Sequence, residues 1–156
     1  MDWDDVEESV RRIDIQLKQQ QEIRRYNRLY CIGRGGMILT RLLSGILSIE
    51  VHNIHIIPAS RDKRYFIDEI KEPCIFVDDI LDTGDTFSNI FDTCRIMDKA
   101  NVIFTFLVGR RKTFESIRIF RKVICGMIVE HDSYVVFPWE VFDDNSPSRY
   151  HKSHLV

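Results

Sequence analysis

Four acidic residues and two threonines lie close together in the segment CIFVDDILDTGDTF, which covers residues 74–87. Asp78 and Asp79 directly follow the apolar run that opens this segment. Ionised carboxylates accept hydrogen bonds but donate none, so the pair suits vicinal hydroxyl groups or Mg²⁺ rather than a phosphate group. The first half of the segment therefore predicts a site for a diol or a divalent cation, unless the pair belongs to an ordinary solvated loop.

The second half, residues 83–86, has the composition of a tight turn that opens a helix. Gly84 permits unusual backbone dihedrals, and the free N–H groups of a helix N-terminus favour an anion such as phosphate. Thr83 and Thr86 add hydroxyl donors, and Asp85 lies between them. The alternative is that Thr83 or Asp85 simply caps the helix.

The two halves together describe one ligand, a sugar 5-phosphate that is held at both ends. Asp82 falls between the diol-binding acids and the phosphate-binding turn. At that place its carboxylate could face the anomeric carbon or an attached base.

Hydrophobic periodicity predicts the elements that must position these residues. The first twenty residues have the spacing of an amphipathic helix, and helical stripes recur over residues 35–47 and from Phe87 to Met97. Continuous apolar runs predict buried strands, which lie at residues 28–33, 51–57, 74–78, 101–108 and 123–129.

Continuous rather than alternating apolar strands are typical of a parallel sheet that is covered on both faces. The chain is therefore predicted to be an α/β domain with a doubly wound, mainly parallel sheet and helices on both faces. Ligands of such folds bind beyond the carboxyl ends of the strands. The GRGG segment at residues 33–36 and the acidic segment after residue 77 both fall there.

Composition limits the classes of partner. The chain has 156 residues, a net charge of -2 and no long basic run, so we expect one domain with a polar C-terminal tail at 143–156 and no binding of nucleic acid. No apolar stretch is long enough to span a membrane, and the acidic N-terminus does not resemble a signal peptide. The four cysteines are scattered, with Cys31 and Cys74 in predicted buried strands. We expect a reduced, cytoplasmic protein, although one isolated disulfide remains possible.

The segment IFVDDILDTGDT resembles the phosphoribosyl pyrophosphate motif of type I phosphoribosyltransferases. CIGRGGMILTRLLSGIL is similar to the Ser-Arg-Gly-Gly loop and the following helix of the xanthine-guanine branch of that family. SYVVFPWE resembles the aromatic and Pro-Trp-acid segment of the same branch, and DWDDVEESV resembles its first helix. The resemblance covers residues 3–142.

By this resemblance, Arg34 and Gly35 would bind pyrophosphate, and Asp78 and Asp79 would hold the ribose hydroxyls and Mg²⁺, with Asp79 as the main metal contact. Asp82 would act as general base or as hydrogen-bond partner at purine N7. The remaining implied contacts are those to the 5-phosphate, from Thr83, Gly84, Asp85 and Thr86, and those to the purine, from a stacked Tyr134 and the Val135 backbone.

The resemblance implies a Mg²⁺-dependent purine phosphoribosyltransferase of purine salvage that uses phosphoribosyl pyrophosphate and a 6-oxopurine (guanine, xanthine or hypoxanthine). It also implies a homo-oligomer. Two alternatives stay open. One is a non-catalytic regulator that binds phosphoribosyl pyrophosphate or a nucleotide on the same fold, and the other is a phosphoribosyltransferase for another base.

The sequence departs from the pattern of the xanthine-guanine branch at three places. Gly33 replaces the usual Ser, and the stretch 58–73 is shorter than the loop of relatives, with Arg61, Lys63 and Arg64 as candidate pyrophosphate contacts. Gly109 replaces the base-reading Lys, and Arg110, Arg111 and Lys112 follow it. The basic segment from residue 109 to 123 is expected to be a solvated helix, with a partner surface as the alternative, and Trp139 is expected in the core.

Overall fold

The computed structural model describes residues 1–57, 70–93, 101–118, 122–130 and 134–142. Five strands form one sheet with the order β2-β1-β3-β4-β5, and every pair of neighbours is parallel. The strands are β1 (Leu29–Ile32), β2 (Ile54–Ile57), β3 (Cys74–Leu81), β4 (Val102–Arg110) and β5 (Lys122–Val129). The prediction of a parallel, doubly wound sheet is therefore confirmed.

Helices cover both faces of this sheet. The helices are α1 (Trp3–Lys18), α2 (Gly36–Leu47), α3 (Asp85–Thr93) and α4 (Arg111–Arg118). Side chains of α1 and α2 share one apolar core with β1, β3, β4 and β5, while Phe87 and Ile90 of α3 belong to a second core on the opposite face. A stack of Tyr30, Phe76 and Phe104 links β1, β3 and β4 within this second core.

Three strands differ from their predicted bounds. Residues 51–53 form a 3-10 turn, closed by a hydrogen bond from the Asn53 N–H to the Glu50 carbonyl, so β2 begins only at Ile54. β4 continues to Arg110, and β3 continues through the acid pair to Leu81. Asp78 and Asp79 thus lie near the carboxyl end of a paired strand and not in a solvated loop after it.

Some predictions fall outside the described residues. These are the stretch 58–69 with Arg61, Lys63 and Arg64, the C-terminal tail at 143–156, and Cys94 and Met97 at the end of the predicted helical stripe. Within the described part of the chain, Cys31, Cys74 and Cys125 are buried free thiols, as predicted for the first two. No helix there is both long and apolar enough to cross a bilayer.

Two glycines allow α2 to begin directly against β3. A Cβ atom at Gly36 would lie 2.4 Å from the backbone carbonyl oxygen of Val77, and one at Gly35 would lie 2.3 Å from a carboxylate oxygen of Asp79. At residue 36, where the obstructing atoms belong to the backbone of β3, only glycine fits such a close approach. The GRGG segment is therefore required to bring the helix N-terminus onto the acid pair.

We expect Gly36→Ala to destabilise the fold by about 2 kcal/mol or more, because the obstructing atom is backbone and cannot rotate away. The matched control is Gly45→Ala in the same helix. A Cβ there meets only the end of the Arg41 side chain, at 3.5 Å, so alanine should stabilise the helix by about 0.5–1 kcal/mol. Urea unfolding of both variants checks this, and equal stabilities would contradict the packing described for Gly36.

Candidate functional site

A cavity of about 620 Å³ lies at the carboxyl ends of β1 and β3. Five of the residues predicted from the sequence line it, namely Arg34, Gly35, Asp78, Asp79 and Thr86. They come from three different segments, the GRGG loop, the end of β3 and the start of α3. The structure thus brings the GRGG loop next to carboxylates that are far from it in sequence. A larger cavity of about 750 Å³, lined by the ends of α1 and α2 and residues 48–53, contains none of the predicted site residues.

The acid pair is held in an environment that opposes its ionisation. Burial raises the pKa of Asp78 from 3.8 to about 8, with a further contribution from the charge of Asp79. Burial also raises the pKa of Asp79, and the nearby charge of Glu140 adds to this effect. The backbone N–H of Asp79 donates to Oδ1 of Asp78 at 3.0 Å, which orients the first carboxylate. A cation that enters the cavity would favour ionisation of both groups.

The donor set fits a hard divalent cation. Two adjacent carboxylates supply oxygen ligands, which Mg²⁺ prefers, and Mg²⁺ usually keeps several waters and substrate oxygens. Among the described residues, no group of three or more ligand side chains forms a complete metal site. Asp78 and Asp79 would therefore hold a cation jointly with a bound substrate.

The turn before α3 has the predicted geometry at its glycine. Gly84 has a φ of 87°, a left-handed conformation that favours glycine. Oγ1 of Thr83 accepts a hydrogen bond from the Asp85 N–H at 3.3 Å, and the Gly84 carbonyl accepts from the Ser88 N–H. Thr83 therefore makes the capping contact that was the alternative for this turn, while Thr86 lines the cavity.

Asp82 lies outside the lining of this cavity and contacts the end of β4. Its Oδ1 accepts a hydrogen bond from Nε of Arg110 at 3.0 Å. Arg111 instead pairs with Glu130 and Glu115, so its side chain is directed to other acids. Of the three basic residues after Gly109, Arg110 is thus the one that reaches the predicted catalytic acid.

The predicted base-binding residues are not part of the cavity lining. Tyr134 is 66% exposed, and Val135 packs against the core that includes α1 and α2. Trp139 packs on that core, as expected, but it also lines the cavity, and its ring stacks on Phe137. Trp139 is therefore both a residue at the edge of the core and a residue of the cavity wall.

Glu140 is a cavity residue that the sequence analysis did not single out. It lines the same cavity as the acid pair, and its Oε2 accepts a hydrogen bond from the Phe137 N–H at 2.9 Å. The available signal was the Pro-Trp-acid motif, of which Glu140 is the acid. The position of Glu140 in that motif does not show that its carboxylate lies near Asp79.

No protein-family model and no curated protein sequence matches the chain. Solved structures do. A purine phosphoribosyltransferase from Pyrococcus horikoshii Ot3 superimposes with a TM-score of 0.68 at 19% identity, over 90% of this chain and 92% of that one. The fold is that of the type I phosphoribosyltransferases.

Two further structures show how proteins with the phosphoribosyltransferase fold vary. A Helicobacter pylori xanthine-guanine-hypoxanthine phosphoribosyltransferase has a TM-score of 0.64 at 18% identity, over 90% of each chain. A hypothetical protein from Neisseria gonorrhoeae with bound ppGpp has a TM-score of 0.66 at 17% identity, over 92% of this chain and 89% of that one. An orotate phosphoribosyltransferase also has this fold, so the fold leaves the base open.

The raised pKa of Asp78 predicts a pH dependence of stability. Between pH 3.8 and about 8 the folded chain holds a proton that the unfolded chain releases, so the free energy of unfolding falls as pH rises through this window. Asp78→Asn removes the titrating group. Without divalent cations, we expect the melting temperature of this variant to gain on the wild type by about 3 °C or more between pH 5 and pH 9.

Thermal unfolding at several pH values checks this, with Glu7→Gln, a change at an exposed acid of α1, as the control. A difference between Asp78→Asn and the wild type that does not change with pH would contradict the burial of this carboxyl.

Proposed function

We propose that the chain is a phosphoribosyltransferase that transfers the phosphoribosyl group of phosphoribosyl pyrophosphate to a 6-oxopurine. One observation carries the proposal: Arg34, the acid pair and Thr86 line a single cavity at the carboxyl ends of β1 and β3. A diol- and cation-binding pair between two anion-binding groups matches a sugar with phosphate at one end and pyrophosphate at the other.

Each group of residues binds a different part of this substrate. Asp78 and Asp79 accept hydrogen bonds from the ribose hydroxyls. The turn at residues 83–86 binds the 5-phosphate with N–H groups of the first turn of α3 other than that of Asp85, which donates to Thr83. The Arg34 guanidinium and the backbone of Gly35 bind the pyrophosphate.

The reaction breaks the bond from the anomeric carbon to the pyrophosphate oxygen and forms a bond from that carbon to a nitrogen of the base. Positive charge develops on the sugar, as in glycoside hydrolysis. Pyrophosphate leaves with the bonding electron pair, and Arg34 stabilises its charge. The base loses one proton, which the Asp82 carboxylate accepts as general base. Bound Mg²⁺ would supply further neutralisation of the leaving group.

The choice of a 6-oxopurine rests on Arg110. A guanidinium has only donors, and the oxygen at C6 of guanine, hypoxanthine and xanthine is an acceptor. The amino group of adenine would meet a donor and remain unpaired, at about 1–3 kcal/mol. Tyr134 and the Val135 backbone complete the proposed base contacts. The buried free thiols support a reducing, cytoplasmic setting.

The rival function is a non-catalytic nucleotide-binding regulator. The hypothetical protein from Neisseria gonorrhoeae, which has the same fold and bound ppGpp, favours this candidate. Asp82 distinguishes the two, because a sensor of phosphoribosyl pyrophosphate needs no general base between the sugar and the base. A sensor would bind the substrate and release no pyrophosphate.

We expect release of pyrophosphate from phosphoribosyl pyrophosphate with guanine, hypoxanthine or xanthine, and at least about tenfold less with adenine. A coupled assay with single bases and with pairs in competition measures this, with orotate as a pyrimidine control. Equal use of adenine and guanine would refute the 6-oxopurine proposal, and no release with any base would refute the enzyme.

Arg34→Ala should weaken binding of phosphoribosyl pyrophosphate by roughly 1.5–3 kcal/mol, because a charge-assisted contact to pyrophosphate is lost. Binding of a nucleoside 5-monophosphate, which has no pyrophosphate, should change little. Calorimetry compares both ligands, and Arg28→Ala at the opposite end of β1 is the control. Equal losses for both ligands would mean that the GRGG loop binds another part of the substrate.

A further inference from the structure

The end of β4 and the start of α4 hold the segment that contains Asp82. Nε of Arg110 donates to Oδ1 of Asp82 at 3.0 Å, and Oγ1 of Thr113 donates to the backbone carbonyl of Asp82 at 2.6 Å. The carboxylate of Asp82 is thus held by the last residue of β4 and its carbonyl by a residue in the first turn of α4. Helix α4 has no buried residue, as expected for a solvated basic helix, but Thr113 on one side of it contacts Asp82.

Helix α4 also packs against Gly84, two residues after Asp82. A Cβ at Gly84 would lie 3.1 Å from Cγ2 of Thr113 and 3.2 Å from Cδ1 of Ile117. α4 therefore rests directly against the turn that follows Asp82. Three residues, Arg110, Thr113 and Ile117, contact Asp82 or lie against Gly84, and we call these three residues the clamp.

The lack of a side chain at residue 109 explains why the cation of this clamp comes from residue 110. A Cβ at Gly109 would lie 2.7 Å from Sγ of Cys125 and 3.3 Å from Cδ1 of Ile128. Side chains of β5 fill the space that a lysine at residue 109 would need. The next residue, Arg110, has a side chain that is only 11% exposed, whereas that of Asp82 is 60% exposed. The guanidinium is the buried, fixed partner of the pair, and the carboxylate is the accessible one.

We propose that Arg110 is a positioning residue, which holds the Asp82 carboxylate by Oδ1 and so presents Oδ2 to the proton of the base. Thr113 fixes the backbone of the same residue. This inference rests on the proposed function, because it gives Asp82 its orientation for proton transfer. It assigns Arg110 and Thr113 of the basic segment a role within the reaction.

Orientation of this kind acts on turnover more than on substrate binding. A misplaced catalytic group slows the chemical step by about 10²-fold for a displacement of 1 Å, while the phosphate- and diol-binding groups stay in place. Lysine at residue 110 would keep the charge but lose the planar fork that orients the carboxylate. A neutral, unbranched side chain such as methionine would keep the packing and lose the hydrogen bond.

The test compares Arg110→Met, Arg110→Lys and Asp82→Asn, alone and combined, in the full chain. We expect Arg110→Met to lower kcat by about tenfold or more, while the KM for phosphoribosyl pyrophosphate stays within about threefold of the wild type. The kcat of Arg110→Lys should lie between that of the wild type and that of Arg110→Met. Asp82→Asn should lower kcat by about 10²-fold or more. At saturating base, adding Arg110→Met to Asp82→Asn should then change kcat by less than about threefold, because Arg110 acts on the chemical step through Asp82, whereas loss of its proposed contact to the base raises only the KM for the base.

The matched control is Arg111→Met, which removes the adjacent guanidinium that pairs with Glu130, and its kcat should stay within about twofold of the wild type. An unchanged kcat in Arg110→Met would overturn the inference. So would a full, independent loss on top of Asp82→Asn, since Arg110 would then act by itself.

Amide hydrogen exchange of residues 82–86 in the ligand-free chain separates this inference from the proposed function. If the wild type releases no pyrophosphate, the proposed function fails, but faster exchange in Arg110→Met than in Arg111→Met still supports the clamp. Equal exchange in both variants would refute the clamp whatever the activity.

Discussion

Two adjacent carboxyl groups at the end of a buried parallel strand are the constraint on which the rest of this structure depends. Asp78 and Asp79 belong to β3, the central strand of the sheet, and burial raises the pKa of both. Removing an ionised carboxylate from water is costly unless an opposite charge or hydrogen-bond donors replace the water. The free protein lessens this cost by holding a proton at Asp78. A bound cation and a diol would replace that proton with ligand contacts.

The neighbouring segments are arranged around this acid pair. The GRGG loop contacts the pair so closely that residues 35 and 36 have no room for a Cβ, which places the N-terminus of α2 at the same edge. On the other side, the chain leaves β3, turns at Gly84 and enters α3. The end of β4 and the start of α4 hold that turn through Arg110 and Thr113. Arg34 and residues at the N-termini of two helices, Gly35 before α2 and Thr86 of α3, thus line one cavity with the pair of acids.

Much of this arrangement could be predicted from the sequence, because it depends on local patterns. Continuous apolar runs predicted the parallel strands, and the order of residues 78–86 predicted that Asp78, Asp79 and Thr86 lie together, which they do in one cavity. The lengths of β2 and β3 could not be predicted in the same way. Val51 is apolar but 79% exposed, so its hydrophobicity led to a predicted start of β2 that is three residues too early. The two acids in β3 interrupt the apolar run, so the strand was predicted to end at Asp78 although it continues to Leu81.

Contacts between distant strands were the part that the sequence could not provide. The pairing of Arg110 with Asp82 depends on the space that Cys125 and Ile128 of β5 occupy next to Gly109. Likewise, Glu140 affects Asp79 only because the segment 137–142 folds back over the end of the sheet. Tyr134 had the expected residue type at the expected motif position, yet its exposed ring lies outside the cavity lining. Such features follow from packing, which residue spacing does not determine.

The most direct test of the central claim is a calorimetric titration of phosphoribosyl pyrophosphate into the wild type and into the double variant Asp78→Asn/Asp79→Asn, with and without Mg²⁺. The account predicts that Mg²⁺ strengthens binding to the wild type by about tenfold or more, since the cation joins the acid pair to the substrate. In the double variant this gain should be lost, because amides cannot replace two anionic ligands. A gain from Mg²⁺ that is equal in both proteins would contradict the claim that the acid pair at the end of β3 holds the cation and the sugar.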